Sequence, residues 1–174
     1  PSDGSRPRLH LGLAAGVVLV SAALAVFAYG RHPHLPDEVV YLLHARYFAA
    51  GMLEMPVPPS IEGFSVDLMT LDADRWFSPV PPGWPAVLSI GVLLGAPWLV
   101  NPILGGVAVW LTYQVALAVS GDERFSRLTT ILLAVSPWFL FLNMSLMTHT
   151  LTLVSALAAA WMTARAMRGH ALWV

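Results

Sequence analysis

Cysteine and lysine are both absent from the 174 residues, and charged side chains make up only 11% of them. Without cysteine there is no disulfide and no thiolate metal site, and no signal of redox compartment. All nine cationic side chains are Arg, a bias attributed first to genomic base composition. The net charge of −1 offers no basic patch, so nucleic acid is excluded as a partner. What fills the chain instead is apolar: 57% of residues are hydrophobic and the mean hydropathy is +0.68, too high for an ordinary soluble domain. The composition is that of a polytopic helical membrane protein, all-α in class.

Residues 1–9 form a polar tail carrying Arg6 and Arg8. The first transmembrane helix is expected over 10–30, where the apolar run from His10 to Tyr29 is about the length needed to cross a bilayer core. That run is longer than a signal-peptide apolar region and lacks a cleavage site. The chain begins at Pro1 without an initiator Met, as expected of a processed or partial chain. Gly12 and Gly16 are spaced for close helix packing. A Pro-rich extramembrane segment, 31–83, follows with seven of the ten acidic residues. Inside it, 37–52 reads as one interfacial helix, started by Pro36 and Asp37 and stopped by Gly51, with Val40, Leu43, Tyr47 and Ala50 on an apolar stripe. The rest of the segment has no sustained period and is expected to be an ordered loop.

The bundle over 84–168 divides into 84–100, 102–119, 128–141 and 147–167, giving about five spans, with a short tail at 169–174. Gly91 and Gly95 repeat the small-residue spacing, and Asn101 suits a cap. The stretch 128–167 would be roughly 60 Å as one helix, twice a bilayer core, so it is expected to fold back between Phe141 and Met147. Arg6 and Arg8 before the first span favour a cytoplasmic N-terminus, which puts 31–83 outside. In a five-span arrangement the remaining seven Arg residues would argue for the opposite orientation. The first helix is given precedence.

The acidic doublet Asp37-Glu38 stands where the first span re-enters water. On a helix Asp37, Tyr41 and His44 share a face, and Glu38 lies about 100° round. The helix dipole favours an ionised carboxylate there, while the neighbouring like charge opposes it. The pair can supply one general base and one orienting or metal-binding group, or it is simply the acidic first turn of a surface helix. Glu54, Glu62, Asp67, Asp72 and Asp74 add acidity to the loop, and Asp72-Ala73-Asp74 has a spacing able to hold a hard divalent ion. A solvated acidic loop is the plainer alternative. Trp76, Phe77 and Trp84 suit anchoring at headgroup level, or stacking on a sugar ring. His149 is the ionisable group inside a predicted span, either bonded to Ser145 or Thr148 or contacting a tetrapyrrole or lipid phosphate. His32 and His34 form an H-x-H beside Asp37, two of the three ligands a metal site needs.

With those elements in order, the chain resembles the N-terminal part of the GT-C membrane glycosyltransferases, the class of protein O-mannosyltransferases and aminoarabinose transferases. The likeness lies in LPDEVVYLLHARYFAAG (35–51), FSPVPPGWP (77–85), NPILGG (101–106) and SPWFLFLNMSLMTHTL (136–151), and it covers most of residues 10–160. It implies sugar transfer from a polyprenyl-phosphate donor on the extracytoplasmic side of a bacterial inner membrane. Carried over, Asp37 would be the base that deprotonates the acceptor hydroxyl, and Glu38 would assist acceptor or divalent-metal placement. Tyr41, His44, Trp76 and Trp84 would contact substrate. Family members carry more spans and usually a soluble C-terminal domain, so the chain is expected to be a fragment or a module that lost catalysis. The rival expectation is a non-catalytic integral membrane subunit held in a larger respiratory or photosynthetic complex by its small-residue helix faces. A small transporter ranks last, since the halves show no broken-helix symmetry.

Overall fold

A computed structural model describes residues 9–60, 63, 66–72 and 74–168. Both polar tails, apart from Leu9, and Glu62 lie outside the described residues. The elements are α1 (Leu9–Phe27), α2 (Pro36–Ala49), β1 (Met55–Pro56), β2 (Thr70–Asp72), β3 (Arg75–Phe77), α3 (Gly83–Leu93), a 3-10 turn at Pro97–Leu99, α4 (Val100–Ser120), α5 (Glu123–Ala134), α6 (Pro137–Met144) and α7 (His149–Arg168). The architecture is mostly helical. Among the described residues three stretches are long and apolar enough to cross a bilayer: Leu9–Phe27, Pro97–Ser120 and His149–Arg168. The pair α5 and α6, bent by 57°, would make a fourth if counted as one broken span, and is a re-entrant pair otherwise. Pro137 opens α6 at that bend, where it has no N–H to continue α5 and its ring would clash with the preceding turn. The expected span at 84–100 resolves into α3, at 11 residues about half a bilayer core, and the separate 3-10 turn.

Two compact units divide the chain. One takes the described parts of Pro1–Ser21, Pro102–Asn143 and His149–Val174. Its core is Val17, Ala108, Val109, Ala134 and Phe139, with Leu153, Val154 and Leu157 packed against them. Close approach here runs through glycines that spacing did not single out. A Cβ on Gly106 would strike Val18 and the Ala14 carbonyl, and one on Gly105 would strike the Asn143 amide. Gly12 and Gly16 meet nothing within 4 Å and border an apolar furrow of about 350 Å³ with Val20, Val135 and Leu140. Of the residues of α7 only Thr150 is buried, and Leu19, Leu132 and Met162 are largely exposed, a surface suited to hydrocarbon. The charged turn before α5 is locally satisfied. Asp122 caps the helix by accepting from the Arg124 N–H at 2.7 Å, and Glu123 pairs with Arg127 at 2.9 Å.

The second unit is Ala22–Asn101 with Met144–Thr148. In it α2 packs on α3, burying Val40, Ala45 and Tyr47 alongside Trp84 and Leu88. Pro36 starts α2 where a missing N–H costs nothing. Gly51 ends it: at φ +77° it lets its own N–H reach the Phe48 carbonyl and the Met52 N–H reach that of Tyr47. The expected loop holds a small antiparallel sheet in the order β1-β3-β2, with Met55 opposite Trp76 and Asp72 opposite Arg75. Strands of two and three residues carry no readable alternation, which is why the sequence pattern misses them.

Candidate functional site

The two adjacent carboxylates have opposite surroundings. Glu38, in the third position of α2, is fully buried at 0% exposure. Its Oε1 accepts from the Leu146 N–H at 2.9 Å, and Oε2 accepts from the N–H groups of His34 at 2.8 Å and Leu35 at 3.3 Å. The Tyr29 hydroxyl stands 3.0 Å from both oxygens and donates its one proton between them. The bond to Leu35 is one half of a capping box; Leu35 has no polar side chain to supply the other. Burial, then the charge and hydrogen bond of Glu38, push the Tyr29 hydroxyl well above the ordinary phenol range. Asp37 is half-buried and makes no hydrogen bond or salt bridge among the described residues. It keeps its acceptor capacity at a helix N-terminus, where a negative charge is favoured. Burial and, after it, the Asp37 charge raise the Tyr41 hydroxyl one turn along.

Glu38 belongs to a set of side chains that fasten the segment between α6 and α7. Leu146 gives its N–H to Glu38, and its carbonyl accepts from Trp84 Nε1 at 2.9 Å. On either side of it, the Ser145 and Met147 carbonyls accept from Asn101 Nδ2 at 2.7 and 2.8 Å. Asn101 is therefore not a helix cap. It sits in the first turn of α4, buried, with its amide turned to another segment. The two carbonyls fix the amide orientation, since only the NH₂ end can donate to both.

The remaining candidates fall around this cluster. His44 is buried on α2, with its ring 4.7 Å from Tyr47 and 4.3 Å from Phe48, and its Nδ1 has no hydrogen-bond partner among the described residues. Burial lowers its pKa, so it is held neutral. Trp84 is buried, its indole committed to Leu146 and closed to a sugar ring. Trp76 is buried in β3. It borders a groove of about 470 Å³ into which α2 turns Val39, Leu42, Leu43 and Arg46, with Met55 opposite. Arg46 is exposed and has no ion-pair partner among the described residues. Asp72 of the D-x-D pairs with Arg75 at 2.8 Å, and Glu54 approaches the same guanidinium at 3.6 Å. Among the described residues no group of three or more His, Asp or Glu side chains is placed to hold a metal ion. The His32 and His34 rings lie 4.5 Å apart and their nitrogens face the Gly30 and Tyr29 carbonyls. His149 is exposed at the first residue of α7. Gly91 does serve close packing, but within its own unit, where a Cβ would meet Val100 and the Pro97 Cα; Gly95 closes α3 at φ +71°.

Sequence reasoning placed Asp37 and Glu38 at the start of a helix but missed Tyr29, Asn101 and the Leu146 backbone as partners. A polar side chain just inside an apolar run is the signal that could have flagged Asn101. No known protein family, no curated protein and no solved structure is matched by the chain.

Proposed function

We propose that the chain is a GT-C-like glycosyltransferase module of a bacterial inner membrane, moving a sugar from a polyprenyl-phosphate donor with Asp37 as base. The observation that carries this reading is the division of labour in the doublet: one carboxylate is saturated and buried, the other is half-buried with no hydrogen bond or salt bridge among the described residues. Asp37 takes the acceptor hydroxyl proton as the acceptor oxygen bonds to the sugar C1. The C1–O bond to phosphate breaks and polyprenyl phosphate leaves. The Arg46 groove supports a donor of this class, because it pairs an apolar trough with a cation that has no ion-pair partner among the described residues.

The expected five spans read better as four. Tyr29 just after α1, Trp84 at the start of α3, Asn101 at the start of α4 and Leu146 before α7 are joined through one hydrogen-bonded cluster. That supports a chain that leaves and returns to one level across α3, with α1, α4, the α5–α6 pair and α7 as the crossings. Six Arg residues (6, 8, 124, 127, 165 and 168) then fall on one side and three (31, 46 and 75) on the other. This is the distribution of a cytoplasmic N-terminus with Asp37 outside.

The test uses membranes from the native host, deleted for the gene and complemented with its full reading frame, supplied with labelled polyprenyl-phosphate sugar. Asp37→Asn is expected to lower transfer by about 10²-fold or more at equal expression. Undiminished transfer would exclude Asp37 as the base. The second reading, a non-catalytic membrane subunit, is favoured by the open furrow beside Gly12 and Gly16. It predicts recovery in a larger assembly that Asp37→Asn leaves intact.

A further inference from the structure

We infer that Glu38 is a positioning residue: its carboxylate fastens the α6–α7 segment to the entry of α2 and so fixes the bearing of Asp37. The inference rests on the reading of Asp37 as the reacting carboxylate. Glu38 itself is excluded from contact with substrate by complete burial and by donors on both of its oxygens. Those donors come from three separate places: Tyr29 after α1, His34 and Leu35 before α2, and Leu146 more than a hundred residues on. His34 and Leu35 are the residues whose backbone leads through Pro36 into Asp37, so their N–H groups set the direction in which that residue leaves the turn. Leu146 ties the same oxygens to a segment already held by Trp84 and Asn101. The group at the centre must be a pure acceptor, because an N–H lies on each side of it. An amide satisfies one side and turns a donor against the other.

The experiment compares the wild-type chain, Glu38→Gln and Tyr29→Phe in lipid nanodiscs by two readouts at residue resolution. Hydrogen exchange follows the Leu146 amide, and carboxyl-selective labelling with mass spectrometry follows Asp37. In Glu38→Gln the Leu146 amide is expected to exchange about tenfold faster or more, and Asp37 labelling to rise, while amides of α7 beyond Thr150 keep their protection. Tyr29→Phe, which leaves the carboxylate but removes one donor, is expected to move both readouts the same way by a few-fold. Where Glu38→Gln does not fold, Tyr29→Phe decides alone. Unchanged exchange at Leu146, or faster exchange with Asp37 labelling unmoved, overturns the positioning role. In the transfer assay Glu38→Gln is expected to lower turnover with the donor KM unchanged; full turnover with a loosened Leu146 also overturns it. A failure of the glycosyltransferase reading is seen elsewhere, in an Asp37→Asn chain that still transfers sugar, and leaves the exchange result standing.

Discussion

Replacing Asn101 by Asp changes almost nothing in shape and reverses the chemistry at a buried clamp. The wild-type Nδ2 gives two protons to carbonyls at 2.7 and 2.8 Å, and the side chain is 1% exposed. An ionised carboxylate there loses both bonds, at about 1 kcal/mol each, and sets a negative oxygen against the buried Ser145 carbonyl and the part-buried Met147 carbonyl, at about 1–3 kcal/mol each. The sum is on the order of 4–8 kcal/mol, more than Asn101→Ala, which deletes the bonds without adding the repulsion. The assay is reversible unfolding in mixed micelles, with tryptophan fluorescence as the signal. Asn101→Asp is expected to unfold at a clearly lower denaturant fraction than Asn101→Ala at pH 7. An Asn101→Asp chain as stable as wild type at pH 7 would refute the clamp.

Burial lowers the His44 pKa, so below the unfolded value of about 6.5 the unfolded chain gains a proton that the folded chain refuses. Stability should therefore fall as pH drops from about 6.5 towards the folded pKa, and His44→Phe should remove that slope in the same unfolding assay. Gly91→Ala is expected to cost about 1–3 kcal/mol, because its Cβ meets the Pro97 Cα at 2.9 Å; Gly12→Ala, which meets nothing, should be neutral or gain a few tenths. Equal effects of the two would remove the packing distinction. The topology is checked with single cysteines, since the chain has none of its own. A membrane-impermeant thiol reagent applied to intact spheroplasts should label Arg46→Cys and spare Arg124→Cys, and the opposite pattern would invert the orientation.

Much of the fold was legible in the sequence because it is set by short-range physics. An apolar run of the right length becomes a helix wherever its backbone is deprived of water, so α1, α4 and α7 could be read from hydropathy alone. Pro36 and Gly51 mark the ends of α2 through constraints confined to a turn. Where a fold-back is expected, between Phe141 and Met147, the helix is interrupted at residues 145–148, between α6 and α7.

The tertiary structure alone decided which distant polar groups meet. Local position supplies part of the difference between Glu38 and Asp37, since the third residue of α2 can accept from the His34 and Leu35 N–H groups. The rest comes from farther along the chain, where Leu146 and Tyr29 complete the set of donors around the buried Glu38 carboxylate. In the same way Asn101 turned from an expected cap into a clamp, and Gly105 and Gly106 displaced Gly12 and Gly16 as the points of close approach. Helix length and helix ends depend on contacts within about four residues, which the sequence states directly. A buried donor is satisfied by whatever acceptor the fold brings within about 3 Å, and that partner can lie anywhere along the chain.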